Sequence, residues 1–150
     1  MENVPAAKAP VHLWIVGLLS LVWNAFGCID YLMTRMRSLE WMAQSGADPQ
    51  AMLDWIDRFP FYAQFGWGLG VWMGLLGSIL LLMRHRWAVL ALLLSFAGAI
   101  IGLGYQIFVA PPAPPPMNEG LMTVMPWVII VVAGALYFYA VRQQKAGVLR

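Results

Sequence analysis

The sequence predicts an all-α membrane protein with four transmembrane helices, and three observations lead to this fold class. Four stretches, at about 11–33, 61–83, 87–109 and 121–141, each supply the roughly 20 apolar residues that a helix needs to cross about 30 Å of hydrocarbon. The 150-residue chain is 61% hydrophobic and only 11% charged, whereas soluble proteins average about 25% charged residues. The connections are too short to hold a soluble domain. We therefore predict one integral membrane domain over residues 1–150.

The first span is expected to remain attached as the first helix. It is longer than the roughly 7 to 15 residues of a signal-peptide core, and no A-x-A-like cleavage site follows it. Small and polar residues recur along it at intervals of three and four, which is the period of a helix seam: Gly17, Ser20, Asn24, Gly27, Tyr31 and Thr34. Lipid would leave the Asn24 amide without a hydrogen-bond partner, so this stripe is predicted to face protein.

Asp30 is the only acidic residue inside a predicted span. A carboxylate in hydrocarbon costs roughly 2.5 to 3.5 kcal/mol on insertion scales, so Asp30 is a candidate functional residue. It also lies one turn before Thr34 and close to Arg35 and Arg37. We therefore expect a hydrated, ionised carboxylate at the membrane boundary, within reach of Thr34, an arginine or water, in preference to a role in proton or ion coupling.

The loop at 34–60 is expected to begin with an extension of the first helix. No helix-breaking residue occurs before Gly46. This predicts a continuous helix from about Val11 to about Gln44, roughly 50 Å long, that protrudes beyond the membrane.

A second helix is predicted in the same loop, from Asp48 to Pro60. Aspartate at the N-cap followed by proline at the first helical position is a strong start signal. Its apolar residues repeat at helical spacing: Met52, Leu53, Ile56 and Phe59. The pattern fits a helix on the membrane surface or a cap on the bundle, and a packed connector without a partner is the favoured interpretation.

The second and third spans carry glycine-rich stripes that are typical of close helix packing. In the second span the stripe consists of Gly66, Gly70, Gly74, Gly77 and Ser78. In the third span it consists of Ala91, Ser95, Gly98 and Gly102 and leads to Gln106. Such spacing indicates that helices touch, so packing is favoured over transport as the reason for both stripes.

The Pro-rich loop at 110–120 precedes the fourth span. Its Ala-Pro-Pro-Ala-Pro-Pro-Pro segment excludes helix and central strand, because proline lacks the amide proton and restrains the preceding residue. We predict a short polyproline II spacer that serves as a stiff connector.

Basic residues are distributed unequally between the two sides of the predicted membrane domain. The side with both termini and the 84–86 turn carries Lys8, Arg84, Arg86, Arg142, Lys145 and Arg150. The opposite side carries Arg35, Arg37 and Arg58. This asymmetry predicts that both termini are cytoplasmic.

The sequence contains no catalytic or metal-binding signature. Cys28 is the only cysteine, which excludes an intramolecular disulfide and a C-x-x-C centre. His12 and His85 are expected at the membrane interface, where joint ligation of haem or a metal is disfavoured. The H-E-x-x-H, G-x-S-x-G, Walker and dinucleotide motifs do not occur. We predict no catalytic residue, metal or cofactor, no enzyme activity and, from the small dispersed charge of +2, no nucleic-acid binding.

Two segments resemble a group of small four-span inner-membrane proteins of proteobacteria. They are HLWIVGLLSLVWNAFGCIDYLMT at 12–34, and GVWMGLLGS at 70–78 followed by LLMRHRWA at 81–88. Members of the group are mostly uncharacterised, and some carry a loose sugar-transporter label. The resemblance covers about the first two thirds of the chain and implies a bacterial inner-membrane location. It includes Trp23, Asn24, Asp30 and Tyr31.

Three functions are compatible with these patterns. The favoured one is a non-enzymatic accessory or scaffold subunit, embedded in the bilayer, whose small-residue stripes dock onto another membrane protein or a second copy. The alternative is a dimeric transporter component for sugar-like or drug-like solutes, with a polar path along Asn24, Asp30, Gln64 and Gln106. The third is a haem- or quinone-associated electron-transfer subunit, which depends on the two histidines and the aromatic content.

Overall fold

The computed structural model describes residues 8–150, which are all-helical and contain no strand. The helices in this range are α1 (Val11–Arg35), α2 (Leu39–Ala43), α3 (Pro49–Asp57), α4 (Phe61–Leu82), α5 (Ala88–Phe108) and α6 (Met125–Lys145), with a 3₁₀ turn at Gly120–Val124. Four of these elements, α1, α4, α5 and the 3₁₀ turn with α6, are long and apolar enough to cross a membrane. The predicted fold class is confirmed.

The spans pack in the order in which they occur in the chain. α4 and α5 form the most extensive pair, α1 packs on α4, and α6 packs on α5. In the apolar windows of α4 and α5, 33% and 39% of the residues are buried, against 22% for α1 and 17% for the last span. α4 and α5 are therefore central. The remaining apolar surface fits lipid contact, as expected of a multi-pass membrane protein.

The predicted glycine stripes of α4 and α5 pack against each other. A Cβ built on Gly98 would lie 2.5 Å from the amide nitrogen of Gly70 and 2.7 Å from the carbonyl oxygen of Gly66. A Cβ on Gly102 would lie 2.8 Å from the amide nitrogen of Trp67. Only glycine allows the two backbones to approach this closely, so the stripes are used inside the chain.

α1 ends at Arg35, so the prediction of one continuous helix from about Val11 to about Gln44 is wrong. Arg37 adopts a left-handed backbone with φ +57°. The amide of Ser38 donates to Met33 O at 3.0 Å, and the amide of Arg37 donates to Thr34 O at 3.0 Å. These two bonds form a Schellman motif, which normally has glycine where Arg37 stands. Because arginine stands where glycine is usual, no residue type in the sequence marks the end of α1.

The Arg37 side chain fixes this turn to α3. Its guanidinium donates two hydrogen bonds to the Asp57 carboxylate, at 3.0 and 3.2 Å. The hydrogen bonds and charge of Asp57 raise the pKa of Arg37 above its ordinary value. After the turn, Ser38 Oγ accepts a hydrogen bond from the Trp41 amide and caps the start of α2.

α3 begins where the sequence predicts. Asp48 is the N-cap, and its carboxylate accepts a hydrogen bond from the Gln50 amide at 3.0 Å. Leu53, Trp55 and Ile56 are buried in one cluster with Met42 of α2. α2 and α3 thus form one unit, residues 39–57, which we call the cap.

The cap is tied to the Pro-rich loop. Trp55 Nε1 donates to the carbonyl oxygen of Pro111 at 2.8 Å. The loop contains no helix or strand between Pro111 and Pro114 and then turns, with the Met117 amide donating to Pro114 O at 2.9 Å. The Pro-rich loop therefore holds the cap in addition to connecting two spans.

The C-terminal tail closes the end of the bundle that carries the 84–86 turn, which we call the terminal end. Gly147, with φ +70°, turns the chain back after α6. Val148 and Leu149 are each only 4% exposed, in a cluster with residues of α1, α4 and α5. The tail and the turn also exchange backbone hydrogen bonds: Arg86 N to Arg150 O at 2.8 Å, and Arg150 N to Arg84 O at 2.9 Å.

Replacement of Gly98 by alanine should destabilise the protein through the α4–α5 contact. The new Cβ would collide with backbone that cannot rotate away, and we expect a loss of about 1 to 3 kcal/mol in the free energy of unfolding, measured by denaturant titration in mixed micelles. Gly104→Ala is the matched control on the same helix, because nothing lies within 4 Å of its Cβ position. Equal stability of the two variants would contradict the tight contact.

Candidate functional site

A cavity of about 510 Å³ lies beneath the cap, at the end of the bundle opposite the terminal end, which we call the loop end. Its sides come from α1 and α6, through Asp30 and Ile129, and its back comes from α4 and α5, through Trp67 and Leu103. The two flanking helices meet only weakly: His12 Nδ1 of α1 lies 2.6 Å from Tyr139 Oη of α6, near the terminal end. The cavity occupies the space between them at the loop end.

α2 places an aromatic side chain directly on Asp30. Trp41 Nε1 donates to Asp30 Oδ1 at 2.9 Å, and the Trp41 ring lies 6.2 Å from the Phe26 ring. Asp30 is five residues before the end of α1, or about 7.5 Å along its axis, so α2 folds back alongside α1. Trp41, Phe26 and Asp30 all line the cavity.

The second oxygen of Asp30 has no hydrogen-bond partner within residues 8–150. Among residues 8–150, the Asp30 carboxylate forms no hydrogen bond other than that from Trp41 and no ion pair. Of the three partners expected for Asp30, an arginine does not pair with it: Arg35 Nη1 donates to Gln64 Oε1 at 2.7 Å, and Arg37 pairs with Asp57. Asp30 is also the only ionisable residue among those that line the cavity.

Methionine and aromatic side chains form most of the remaining wall. Half of the ten methionines of the chain line it: Met42, Met52, Met117, Met122 and Met125. Methionine is unbranched and polarizable, and it adapts to apolar groups of different shape. The aromatic wall consists of Phe26, Trp41, Trp55, Phe59 and Trp67. The cavity is therefore suited to an apolar group of variable shape.

Gln106 is the second predicted site residue that lines the cavity. Its amide forms no hydrogen bond within residues 8–150. The other polar side chains of the wall are Thr34, Gln44 and Ser45. The Ser45 hydroxyl donates a hydrogen bond to Met42 O at 2.7 Å. Few polar groups are thus left to orient a ligand.

Asn24 lies away from the cavity, inside the helix packing. Its amide nitrogen donates to Ser20 O at 2.9 Å and to Ser78 Oγ of α4 at 3.1 Å. The Ser78 hydroxyl in turn donates to Gly74 O at 2.9 Å. The expected contact with a neighbouring helix is present, and it links α1 to α4.

Tyr31 and Gln64 each contact Arg35, away from the cavity. The Tyr31 ring meets the Trp67 ring edge to face at 5.0 Å, and the Arg35 guanidinium lies 5.8 Å above Tyr31. Gln64 accepts from Arg35 and donates to Phe59 O at 2.8 Å. Neither residue lines the cavity, so of the five predicted polar residues only Asp30 and Gln106 share it.

The two histidines do not share a site. His12 faces Tyr139, and His85 Nδ1 accepts a hydrogen bond from the Trp87 amide at 3.2 Å. Neither lines the cavity. Within residues 8–150 no group of three or more histidine, cysteine, aspartate or glutamate side chains is arranged to hold a metal ion.

Sequence reasoning missed Trp41 and the methionines as site residues. Trp41 follows Asp30 by eleven residues, and only the unforeseen turn at Arg37 brings the two together. The one available signal was the high methionine count of the chain, which has no positional pattern in the sequence.

Comparison with protein-family models, with curated proteins and with solved structures gives no match for this chain. The resemblance to the proteobacterial four-span group therefore stays a prediction. The cavity itself is the basis for inferring a function.

Replacement of Asn24 by leucine should weaken the contact between α1 and α4. We expect a loss of roughly 0.6 to 2 kcal/mol in the free energy of unfolding in detergent, the range for hydrogen bonds between spanning helices. Ser78→Ala and the double variant complete a cycle that isolates the pair. Strictly additive losses would show that the two side chains do not interact.

Proposed function

We propose that this protein is a non-enzymatic membrane protein that binds an amphipathic small molecule in the cavity at its loop end. The cavity carries this proposal. Its volume of about 510 Å³ falls within the roughly 300 to 1,000 Å³ typical of small-molecule sites. Its wall is also typical of such sites, being mainly apolar and aromatic with a few polar groups.

The position of the cavity favours a ligand that partitions into the membrane. It lies between α1 and α6, whose outward faces carry large exposed apolar side chains such as Leu19 and Val131. A lipid-soluble molecule can approach between these helices from the hydrocarbon. The cap covers the same space from the loop end, so its α2 would have to move for a larger ligand.

The terminal end argues against a continuous channel. Val148 and Leu149 fill that end of the bundle, where Leu13, Leu81 and Leu92 are also buried. The transporter alternative also loses its predicted polar path, since Asn24 and Gln64 lie elsewhere. Binding and presentation of a ligand from one end is the simpler activity, and transport would require the C-terminal tail to open.

The accessory-subunit function stays a prediction, and the packing of the glycine stripes gives it less support than the sequence alone does. This function requires small-residue stripes that are free to dock onto a partner. Gly66, Gly70, Gly98 and Gly102 instead form the contact between α4 and α5. The surface left for a partner consists of large apolar side chains, which lipid covers equally well.

We further propose that the protein resides in a bacterial inner membrane with both termini in the cytoplasm, because the terminal end carries the excess of basic residues. Reporter fusions at Arg150 and in the loop near Asn118 test this orientation. We expect a cytoplasmic signal at Arg150 and an external signal at Asn118. A cytoplasmic signal at Asn118 would reverse the proposed topology.

Ligand binding can be tested by blocking the cavity. Leu103→Trp adds bulk to the back wall, and we expect it to weaken binding of a fluorescent uncharged alkyl amphiphile at least about tenfold. Binding is measured by anisotropy in nanodiscs, with empty discs as the baseline. Ile100→Trp is the matched control, since Ile100 lies on the same helix, is 47% exposed and does not line the cavity. Equal affinities for both variants and the parent protein would contradict binding in this cavity.

A further inference from the structure

We infer that the cavity selects molecules that carry one positive charge beside an apolar group, and that Asp30 recognises this charge. The inference rests on the proposed function and names the class of ligand. A monocationic amphiphile satisfies the two chemically distinct parts of the wall, the carboxylate on α1 and the methionine and aromatic surface around it.

The charge of the cavity wall is not balanced by the protein. Asp30 is the only ionisable residue that lines the cavity, and no ionisable side chain from α2, α3, α4, α5 or α6 faces it there. The two basic residues that follow Asp30 most closely in the sequence, Arg35 and Arg37, are held by Gln64 and Asp57. A bound cation would supply the missing charge, in a region where a carboxylate is costly without a partner.

Trp41 prepares the carboxylate for such a ligand. Its indole N–H occupies one oxygen of Asp30, which fixes the carboxylate and leaves the other oxygen to accept from a ligand or to lie beside a quaternary ammonium. The Trp41 ring lies beside this carboxylate, and the Phe26 ring, 6.2 Å from the Trp41 ring, lines the same cavity. Aromatic faces attract cations, so these rings favour an ammonium group and its methyl substituents.

The other ligand classes fit less well. An anionic head group would bring a like charge to the carboxylate in a largely apolar space. A sugar carries hydroxyl groups on all sides. The cavity wall offers few polar groups without an internal partner, mainly the second oxygen of Asp30 and the side chains of Thr34, Gln44 and Gln106. Burial of unpaired hydroxyl groups disfavours that class.

The head-group preference can be measured with three amphiphiles that share an octyl chain. Octyltrimethylammonium, a zwitterionic octyl sulfobetaine and octyl sulfate compete with the fluorescent uncharged amphiphile in nanodiscs of phosphatidylcholine. Empty discs correct for partitioning into lipid. We expect the cation to bind at least about tenfold more tightly than the zwitterion, and the anion to bind most weakly.

Two substitutions then assign the preference. Asp30→Asn keeps an oxygen acceptor for Trp41 but removes the charge, so we expect the three competitors to bind within about twofold of one another. Asp54→Asn makes the same chemical change on the exposed face of α3, outside the cavity, and should preserve the preference. Loss of the preference in both variants, or in neither, would overturn the assignment to Asp30.

The parent protein alone keeps the inference testable if Asp30→Asn fails to fold. Equal binding of the three competitors would overturn charge selection while leaving the proposed function intact, because the uncharged probe would still bind. Absence of probe binding would overturn both. Tighter binding of the sulfate than of the ammonium would also overturn charge selection.

Discussion

The backbone contact between α4 and α5 is the constraint on which the rest of the structure depends. Four glycines remove the side chains that would otherwise separate these helices. α1 then packs on α4 and α6 packs on α5, and these two outer helices make little contact with each other. Their separation at the loop end leaves the space that α2 and α3 cover, and the closely packed α4 and α5 form the back of this space through Trp67 and Leu103.

The two ends of the bundle are closed by different contacts, and the cavity lies at the loop end only. At the terminal end, buried Val148 and Leu149 and paired backbone groups of Arg84 and Arg150 form a seal. At the loop end the cap is held by a few separate ties, among them the exposed Arg37–Asp57 pair and the Trp55–Pro111 hydrogen bond. Exposed ion pairs contribute little stability. Any movement that admits a ligand is therefore expected at the loop end.

The sequence predicted the features that depend on composition or regular spacing. The spans follow from their apolar length, the α4–α5 contact follows from glycines repeated every four residues, and the start of α3 follows from Asp48 and Pro49. The end of α1 was not predictable in this way, because Arg37 has the left-handed backbone conformation that usually requires glycine at the end of a helix. The Trp41–Asp30 bond depends on that turn, and the burial of the C-terminal tail depends on packing between distant residues. The part of the site that depends on the Arg37 turn could consequently not be predicted from the sequence.

Asn24 and Asp30 show how a structural polar group within a span differs from one kept for binding. The amide nitrogen of Asn24 donates to two oxygen atoms of the chain, so both of its N–H groups are used inside the helix packing. Asp30 is six residues further along the same helix, yet one of its oxygens has no partner within residues 8–150 although two arginines follow it closely. Those arginines are held by Gln64 and Asp57 instead. A charge inside a membrane protein is costly unless it is paired. Asp30 lines the cavity, and neither arginine is its partner. This arrangement is best explained by a cation that comes from outside the chain.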